Sequence, residues 1–224
     1  MGKDMRETAV LHRVKHGYTT GARSLASRSI GGLARTRVTP NALTTAGVSL
    51  CLAASVVVFF ENRNEWFFYW VGAALFVIGS ILDILDGALA RAGGKTTPFG
   101  AFLDSTTDRV GEGAMLGAIA LIFHRHDRPV ALALAFAAVA GSFLVSYTRA
   151  KAEALGLRGD VGIGSRAERV AVITAGLVLA PWGVLPWALV VLSATAWATV
   201  VQRVLHVRKQ LLLLGGSSNG SDER

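Results

Sequence analysis

Residues 83–108 read DILDGALARAGGKTTPFGAFLDSTTD, and the four aspartates of this stretch decide the fold because they interrupt apolar sequence. A carboxylate at bilayer depth costs about 2.5–3.5 kcal/mol on insertion scales, so all four need partners. Asp83 and Asp86 are spaced i, i+3 and Asp104 and Asp108 are spaced i, i+4, which places each pair on one helix face. Two such faces brought together form an all-oxygen site that suits Mg²⁺ or Mn²⁺ rather than zinc.

The composition predicts an integral membrane protein. Of the 224 residues, 52% are hydrophobic and only 17% are charged, and the mean hydropathy is +0.46. A soluble chain of this composition would aggregate. The net charge of +8 is typical of cytoplasmic loops that face anionic lipid, so we expect a lipid bilayer and no nucleic acid as partner.

The apolar pattern predicts an all-α fold with six transmembrane helices. The six apolar segments cover residues 41–60, 66–91, 99–123, 129–153, 168–182 and 185–206, each near the ~20 residues that span a bilayer. Residues 1–38 are basic with apolar residues at helical spacing, which predicts an amphipathic interfacial helix on the cytoplasmic side. Residues 39–210 form the predicted membrane domain, and residues 211–224 form a predicted disordered cytoplasmic tail.

The distribution of Lys and Arg predicts the orientation. All but three of the 23 basic residues fall on the side of the membrane that holds the N-terminus, and the exceptions are Arg63, Arg125 and Arg128. The positive-inside rule then places both termini and the aspartates at the cytoplasmic face of the cell membrane.

Two functions are disfavoured by the position of the aspartates. A cation transporter would carry acidic residues along a path to both faces, whereas the four aspartates cluster at one face. A basic membrane-surface module would need no buried aspartates. Glu112 lies eight residues after Asp104 in the third predicted helix. We expect it to make a polar contact within the bundle or at a dimer interface.

The residues that flank the aspartates have two readings each. Gly87 and Gly100 let a phosphate ligand approach the helix backbone closely, or they serve helix–helix packing. Arg91 lies about two turns after Asp83 and pairs with phosphate or carboxylate, or it extends to the membrane interface.

These residues resemble the signature of the CDP-alcohol phosphotransferases, D-x2-D-G-x2-A-R-x8-G-x3-D-x3-D. Every fixed position is present, namely Asp83, Asp86, Gly87, Ala90, Arg91, Gly100, Asp104 and Asp108. The resemblance implies a homodimeric six-helix protein with two divalent metal ions per site. It also implies the reaction, in which an alcohol attacks the diphosphate of a CDP-linked lipid and CMP leaves.

The resemblance implies roles for individual residues. Asp83 and Asp104 would bridge the two metals, Asp86 would hold one, and Asp108 would bind the other and act as the base. The residues alone leave this division open, because coupled carboxylates share protons. CDP-diacylglycerol would contact Asn41, Ala42, Leu43, Thr44, Gly87, Arg91, Thr97 and Gly100. Asn41 has a further reading as the N-cap of the first spanning helix.

A basic set in the second half of the chain predicts an anionic acceptor, because Arg forks match phosphate oxygens. The set contains Arg149, Lys151, Arg158, Arg166, Arg169 and Arg203. Positive-inside topology is the alternative explanation, strongest for Lys151 and Arg158 and weaker for Arg203, an isolated charge in the last apolar segment.

The acceptor follows from a second resemblance. Residues 146–154 (SYTRAKAEA), 156–160 (GLRGD), 166–169 (RAER) and 201–203 (VQR) resemble the actinobacterial phosphatidylinositol-phosphate synthases. This resemblance implies 1D-myo-inositol 3-phosphate as acceptor, with its phosphate bound by Arg149, Arg166 and Arg203. The alternative acceptor is glycerol-3-phosphate, because residues 99–104 (FGAFLD) also resemble phosphatidylglycerophosphate synthases.

Overall fold

The computed structural model describes residues 39–94, 96–163 and 165–218. The predicted interfacial helix at 1–38 lies outside them. Throughout the described residues the protein is helical, without strands. The described residues form six α-helices, α1 (Pro40–Phe59), α2 (Glu65–Ala92), α3 (Pro98–Arg125), α4 (Pro129–Ala154), α5 (Arg166–Val178) and α6 (Leu185–Ser218), with short 3₁₀ turns at Glu61–Arg63 and Ala180–Trp182.

The start of α1 corrects the N-cap reading of Asn41. Thr39 is the cap, since its Oγ1 accepts from the Ala42 N–H at 3.2 Å, and Pro40 occupies the first helical turn. Proline is favoured there because its missing N–H has no partner in a helix start anyway. Asn41 is therefore already helical, and its side chain is not used as a cap.

Two helix ends differ from the predicted boundaries. Helix α5 stops at Val178 rather than 182, because Pro181 lacks the backbone N–H that would continue the α-helix, and the chain goes on as the 3₁₀ turn Ala180–Trp182. Helix α6 continues to Ser218, past residues 206 and 210, where the last segment and the membrane domain were predicted to end. Four leucines at 211–214 favour the helix, so the described part of the predicted tail is helical, and residues 219–224 lie outside the described residues.

Four of the described helices, α1, α2, α4 and α6, are long and apolar enough to cross a membrane. Helix α3 is as long as α2 but carries Asp104, Asp108, Arg109 and Glu112. Helix α5 has 13 residues, about 20 Å at 1.5 Å per residue, which is shorter than a hydrocarbon core of about 30 Å. Many large apolar side chains of the long helices are exposed, as a lipid-facing surface requires.

A close crossing of α1 and α2 positions the aspartates. A Cβ added at Gly47 would lie 2.8 Å from the Gly79 carbonyl oxygen, and one at Gly79 would lie 2.7 Å from the Gly47 oxygen. Only glycine permits this approach at either position. The crossing lies one turn from Thr44 on α1 and one turn from Asp83 on α2, so it brings α1 against the acidic end of α2.

The apolar core lies beyond the aspartates. It is built from fully buried side chains two to four turns after Asp108 on α3, such as Met115 and Ile119, and from Phe76 of α2, Leu177 of α5 and Leu189 of α6. Helix α5 packs on α2 and α6, α4 packs on α3 and α6, and α1 packs on α2 and α3. The site is thereby held at one end of a packed bundle.

Candidate metal and substrate site

Three of the four aspartates meet. One carboxylate oxygen from each of Asp83, Asp104 and Asp108 lies within 4.8 Å of the other two. Asp83 is buried, and the other two are partly buried. An all-oxygen donor set of this kind fits a hard divalent cation. The predicted convergence of the two helix faces is therefore present for three of the four aspartates.

Asp86 is turned toward a different partner. Its Oδ2 accepts a short hydrogen bond from the hydroxyl of Thr44 on α1, and both side chains are buried. A three-residue step rotates a side chain about 60° around a helix. Asp86 therefore lies beside the three-aspartate cluster, between that cluster and the start of α1.

The guanidinium of Arg166 partly compensates the negative charge of the cluster. Its Nη1 contacts Asp83 Oδ2, and its Nη2 lies 2.6 Å from Asp108 Oδ1. Arg166 is the first residue of α5, where Ser165 and Glu168 form a capping box. Arg166, which was predicted to bind the acceptor phosphate, thus forms ion pairs with two of the aspartates.

A small cavity of about 150 Å³ opens on the Asp86 side of the cluster. Among its lining residues are six of the predicted nucleotide-lipid contacts: Asn41, Thr44, Gly87, Arg91, Thr97 and Gly100. Asp86 and Asp104 line it too. The other two predicted contacts do not: Ala42 is exposed, and Leu43 is buried in the core.

Both glycines of this cavity keep it open. A Cβ on Gly100 would lie 3.1 Å from Thr97 Oγ1 and 3.8 Å from Asn41 Oδ1, and one on Gly87 would lie 3.3 Å from Arg91 Nη1. Any side chain at either position would occupy space among the polar groups that face the cavity. Their predicted alternative role, helix–helix packing, is instead served by Gly47 and Gly79.

A larger cavity of about 690 Å³ lies on the other side of the cluster. Asp104 lines both cavities, whereas Asp86 lines only the small one and Asp108 only the larger one, so the aspartates lie at the boundary between two compartments. The charged lining consists of five arginines and five carboxylates: Arg109, Arg149, Arg166, Arg169, Arg203, Asp104, Asp108, Glu112, Glu153 and Asp160.

All three predicted acceptor arginines line this cavity, but each also has a protein partner. Arg149 pairs with Glu153 at 2.8 Å, and Arg166 contacts the aspartates. Arg203 is buried and donates to two backbone carbonyls, at 2.8 Å to Val161 and more closely to Val145. Arg203 therefore ties α6 to α4 and to the loop that precedes α5.

Five charged residues of this cavity were not among the predicted site residues: Arg109, Glu112, Glu153, Asp160 and Arg169. Glu112 and Arg169 form a buried ion pair with two hydrogen bonds. The available signal was their spacing, since Glu112 follows Asp108 by four residues and Arg169 follows Arg166 by three, which puts each on its neighbour's helix face.

Comparisons with known proteins agree with this geometry. The family model described as CDP-alcohol phosphatidyltransferase matches residues 37–209. Phosphatidylinositol phosphate synthase from Mycobacterium tuberculosis (strain ATCC 25618 / H37Rv) is 35% identical over 182 residues, which are 80% of this chain and 81% of that protein. Archaetidylinositol phosphate synthase from Pyrococcus horikoshii is 34% identical over 180 residues, 80% of this chain and 88% of that protein.

Solved structures agree as well. The crystal structure of the Mycobacterium tuberculosis phosphatidylinositol phosphate synthase with CDP-DAG bound has a TM-score of 0.71 at 31% identity and covers 82% of this chain and 94% of that one. The same enzyme in complex with manganese and citrate also has a TM-score of 0.71, at 32% identity, and covers 81% and 88%. With its apolar helices, this integral membrane protein therefore belongs to the CDP-alcohol phosphatidyltransferase family.

Proposed function

We propose that this protein is a phosphatidylinositol-phosphate synthase, which moves a phosphatidyl group from CDP-diacylglycerol to 1D-myo-inositol 3-phosphate and releases CMP. The observation that carries the proposal is the position of the carboxylate cluster between two cavities, one lined by the family's signature residues and one lined by arginines, with Asp104 lining both. The names of the mycobacterial relatives support the acceptor.

The small cavity is the proposed binding site of the cytidine diphosphate group. Arg91 supplies the positive charge, while Asn41, Thr44 and Thr97 offer polar side chains at the ends of α1 and α3. A bound nucleotide lipid in the mycobacterial relative supports this assignment. The two acyl chains would remain in the bilayer beside the cavity.

Asp83, Asp86, Asp104 and Asp108 are the proposed ligands of two divalent cations, Mg²⁺ or Mn²⁺. The oxygen-only donor set fits such ions, and Arg166 Nη1 and Nη2 mark where a positive charge is stabilised. When bound, the ions supply charge stabilisation for displacement at phosphorus. The manganese complex of the mycobacterial relative supports this choice of ion.

Asp108 is the proposed base because it lies at the boundary between the cluster and the larger cavity, which it lines. It accepts the proton of the acceptor hydroxyl as that oxygen forms its bond to the lipid-side phosphorus. The bond between this phosphorus and the oxygen bridging to CMP breaks, and CMP leaves with the electron pair. Atoms and charge balance without a redox partner.

The larger cavity is the proposed acceptor site. Its five arginines and five carboxylates are formally balanced in the described protein, so divalent cations held by the aspartates make the lining net positive. An anionic acceptor is then favoured over a neutral polyol. Arg149, Arg166 and Arg203 are the proposed phosphate-binding residues, with Arg166 and Arg149 better placed to turn toward a ligand than the buried Arg203.

The membrane arrangement is part of the proposal. All six described helices would cross or enter the bilayer, with α3 and α5 surrounded by the four apolar helices, and residues 39–210 would form the membrane domain. The site would open to the cytoplasm, which also holds the interfacial segment 1–38 and both termini. Homodimerisation is proposed from family membership.

The test is CMP release by the purified protein with CDP-diacylglycerol and Mg²⁺, measured separately with inositol phosphate, free inositol and glycerol-3-phosphate. We expect release only with inositol phosphate and its loss in EDTA. Release with glycerol-3-phosphate alone would replace the acceptor and make the protein a phosphatidylglycerophosphate synthase. Equal release with free inositol would remove the phosphate-binding role of the arginines.

A further inference from the structure

A buried polar group joins three helices one turn below the aspartates. Arg169 of α5 donates to Glu112 of α3 through Nε at 2.8 Å and through Nη2 at 3.0 Å, and Ser142 of α4 donates to the same carboxylate at 2.6 Å. Glu112 and Arg169 are each 6% exposed, and Ser142 is 2% exposed. The carboxylate is therefore held by three hydrogen bonds away from solvent.

The Arg169–Glu112 pair is one of two ion pairs that connect α3 and α5. The first ion pair joins Arg166 to Asp108, and the second joins Arg169 to Glu112. Helix α5 packs on α2 and α6 rather than on α3, so its charged side chains, and not close helix packing, connect it to α3. Only the Arg166–Asp108 pair has to rearrange when a substrate or a cation binds to the aspartates.

We infer that Glu112 is a positioning residue for the acceptor, acting through Arg169 and α5. Its carboxylate holds Arg169 by a two-point fork, whose planar geometry restrains orientation as well as distance. Arg166 lies three residues earlier on the same helix face, so a fixed Arg169 fixes where the Arg166 guanidinium can reach. This inference rests on the proposed function, since it concerns the acceptor site.

Glu112 also keeps the Arg169 guanidinium away from the proposed base. Without this carboxylate, the buried guanidinium of Arg169 would lose the negative charge of Glu112 while lying within one helical turn of Arg166, which is costly. The nearest other carboxylate on the same face of α3 is Asp108, the proposed base. Loss of Glu112 therefore gives Asp108 a second competing guanidinium and disturbs the acceptor side of the site first.

The chain offers a matched control at the far end of α3. Glu61 is 1% exposed and is likewise held by an arginine and a second donor, Arg125 at 3.1 Å and His126 at 3.2 Å. Glu61→Gln and Glu112→Gln both remove one buried charge and keep the side-chain shape. Only Glu112 lies beside the cavity of the arginines.

The experiment compares the KM values of both substrates in these two variants, with CMP release as the assay. Glu112→Gln should raise the KM for inositol phosphate about tenfold, as expected when a hydrogen bond between charged groups is weakened, and should leave the KM for CDP-diacylglycerol within about twofold. Glu61→Gln should change neither KM. A rise of both KM values by the same factor in Glu112→Gln, or no change of the acceptor KM, would overturn the inference.

Hydrogen exchange of residues 158–170 is the second readout, and it needs no substrate. We expect faster amide exchange there in Glu112→Gln and unchanged exchange in Glu61→Gln, because only the former releases the start of α5. Equal exchange in the two variants would overturn the inference. Failure of the unaltered protein to use inositol phosphate would instead refute the proposed function, and the exchange comparison would then decide the inference alone.

Discussion

Removal of Arg166 should tighten metal binding in the absence of substrates. The Arg166 guanidinium contacts Asp83 and Asp108, so a cation that binds these carboxylates has to displace it. In Arg166→Ala this competition is gone, and so is the repulsion between the guanidinium and the ion. The affinity for Mn²⁺ should therefore rise, although the same substitution weakens acceptor binding.

The magnitude follows from the exposure of the pair. Exposed ion pairs contribute up to about 1 kcal/mol, and breaking a buried pair costs about 3–5 kcal/mol. The Arg166 side chain is 28% exposed and Asp83 only 6%, which places the contact between these limits, at about 2 kcal/mol. This corresponds to about a 30-fold lower Kd.

The assay is electron paramagnetic resonance of free Mn²⁺ during titration of the purified protein without nucleotide lipid. Arg149→Ala is the matched control, since Arg149 lines the same cavity but pairs with Glu153 rather than with an aspartate. Its Kd should equal that of the unaltered protein. An unchanged or higher Kd in Arg166→Ala would refute the competition between Arg166 and the metal.

Three further substitutions probe the cluster and the small cavity. Asp108→Asn should abolish CMP release while the protein still inserts and folds, as checked by size-exclusion chromatography; retained turnover would remove Asp108 as base. Thr44→Val should raise the KM for CDP-diacylglycerol about tenfold, because the Asp86 carboxylate loses the hydrogen bond from the Thr44 hydroxyl. Thr44→Ser keeps a hydroxyl and should leave this KM unchanged. Equal KM values in the two variants would contradict a role for the hydrogen bond. Gly100→Ala should raise the Kd for the nucleotide lipid, measured by calorimetry, about tenfold. The added Cβ would lie 3.1 Å from Thr97 Oγ1 and would fill space that glycine leaves open in the cavity. An unchanged Kd would show that the ligand does not approach this position.

Local periodicity made the acidic cluster predictable. The i, i+3 and i, i+4 spacings fix which helix face each carboxylate occupies before any tertiary contact is known. The convergence of Asp83, Asp104 and Asp108 follows from this once α2 and α3 both pack on α1. The separate position of Asp86 required knowledge of α1, because Thr44 is its partner.

The partners of the arginines could not be predicted in the same way. Arg166 and Asp83 are 83 residues apart, and their contact depends on how α5 packs against α2. Periodicity identifies a helix face but not the element that it meets. For the same reason Glu112 was predicted only as a polar contact, and its partners on α4 and α5 emerged from the packed bundle.

Helix ends were predictable where a side chain marks them and not elsewhere. Thr39 with Pro40 and Thr97 with Pro98 mark the starts of α1 and α3 within about two residues of the predicted positions. The end of α6 had no such mark, and its leucines continue the helix beyond residue 210. The short α5 has a start set by its Ser165 capping box, which an apolar-segment search does not detect.

The most direct test of the proposed function is a competition between the two acceptors. The purified protein is given CDP-diacylglycerol, Mg²⁺ and equal concentrations of inositol phosphate and glycerol-3-phosphate, and the lipid products are identified by mass spectrometry. We expect phosphatidylinositol phosphate as the dominant product, with stoichiometric CMP. Phosphatidylglycerophosphate as the dominant product would contradict the acceptor assignment, and the absence of both products would contradict the proposed reaction.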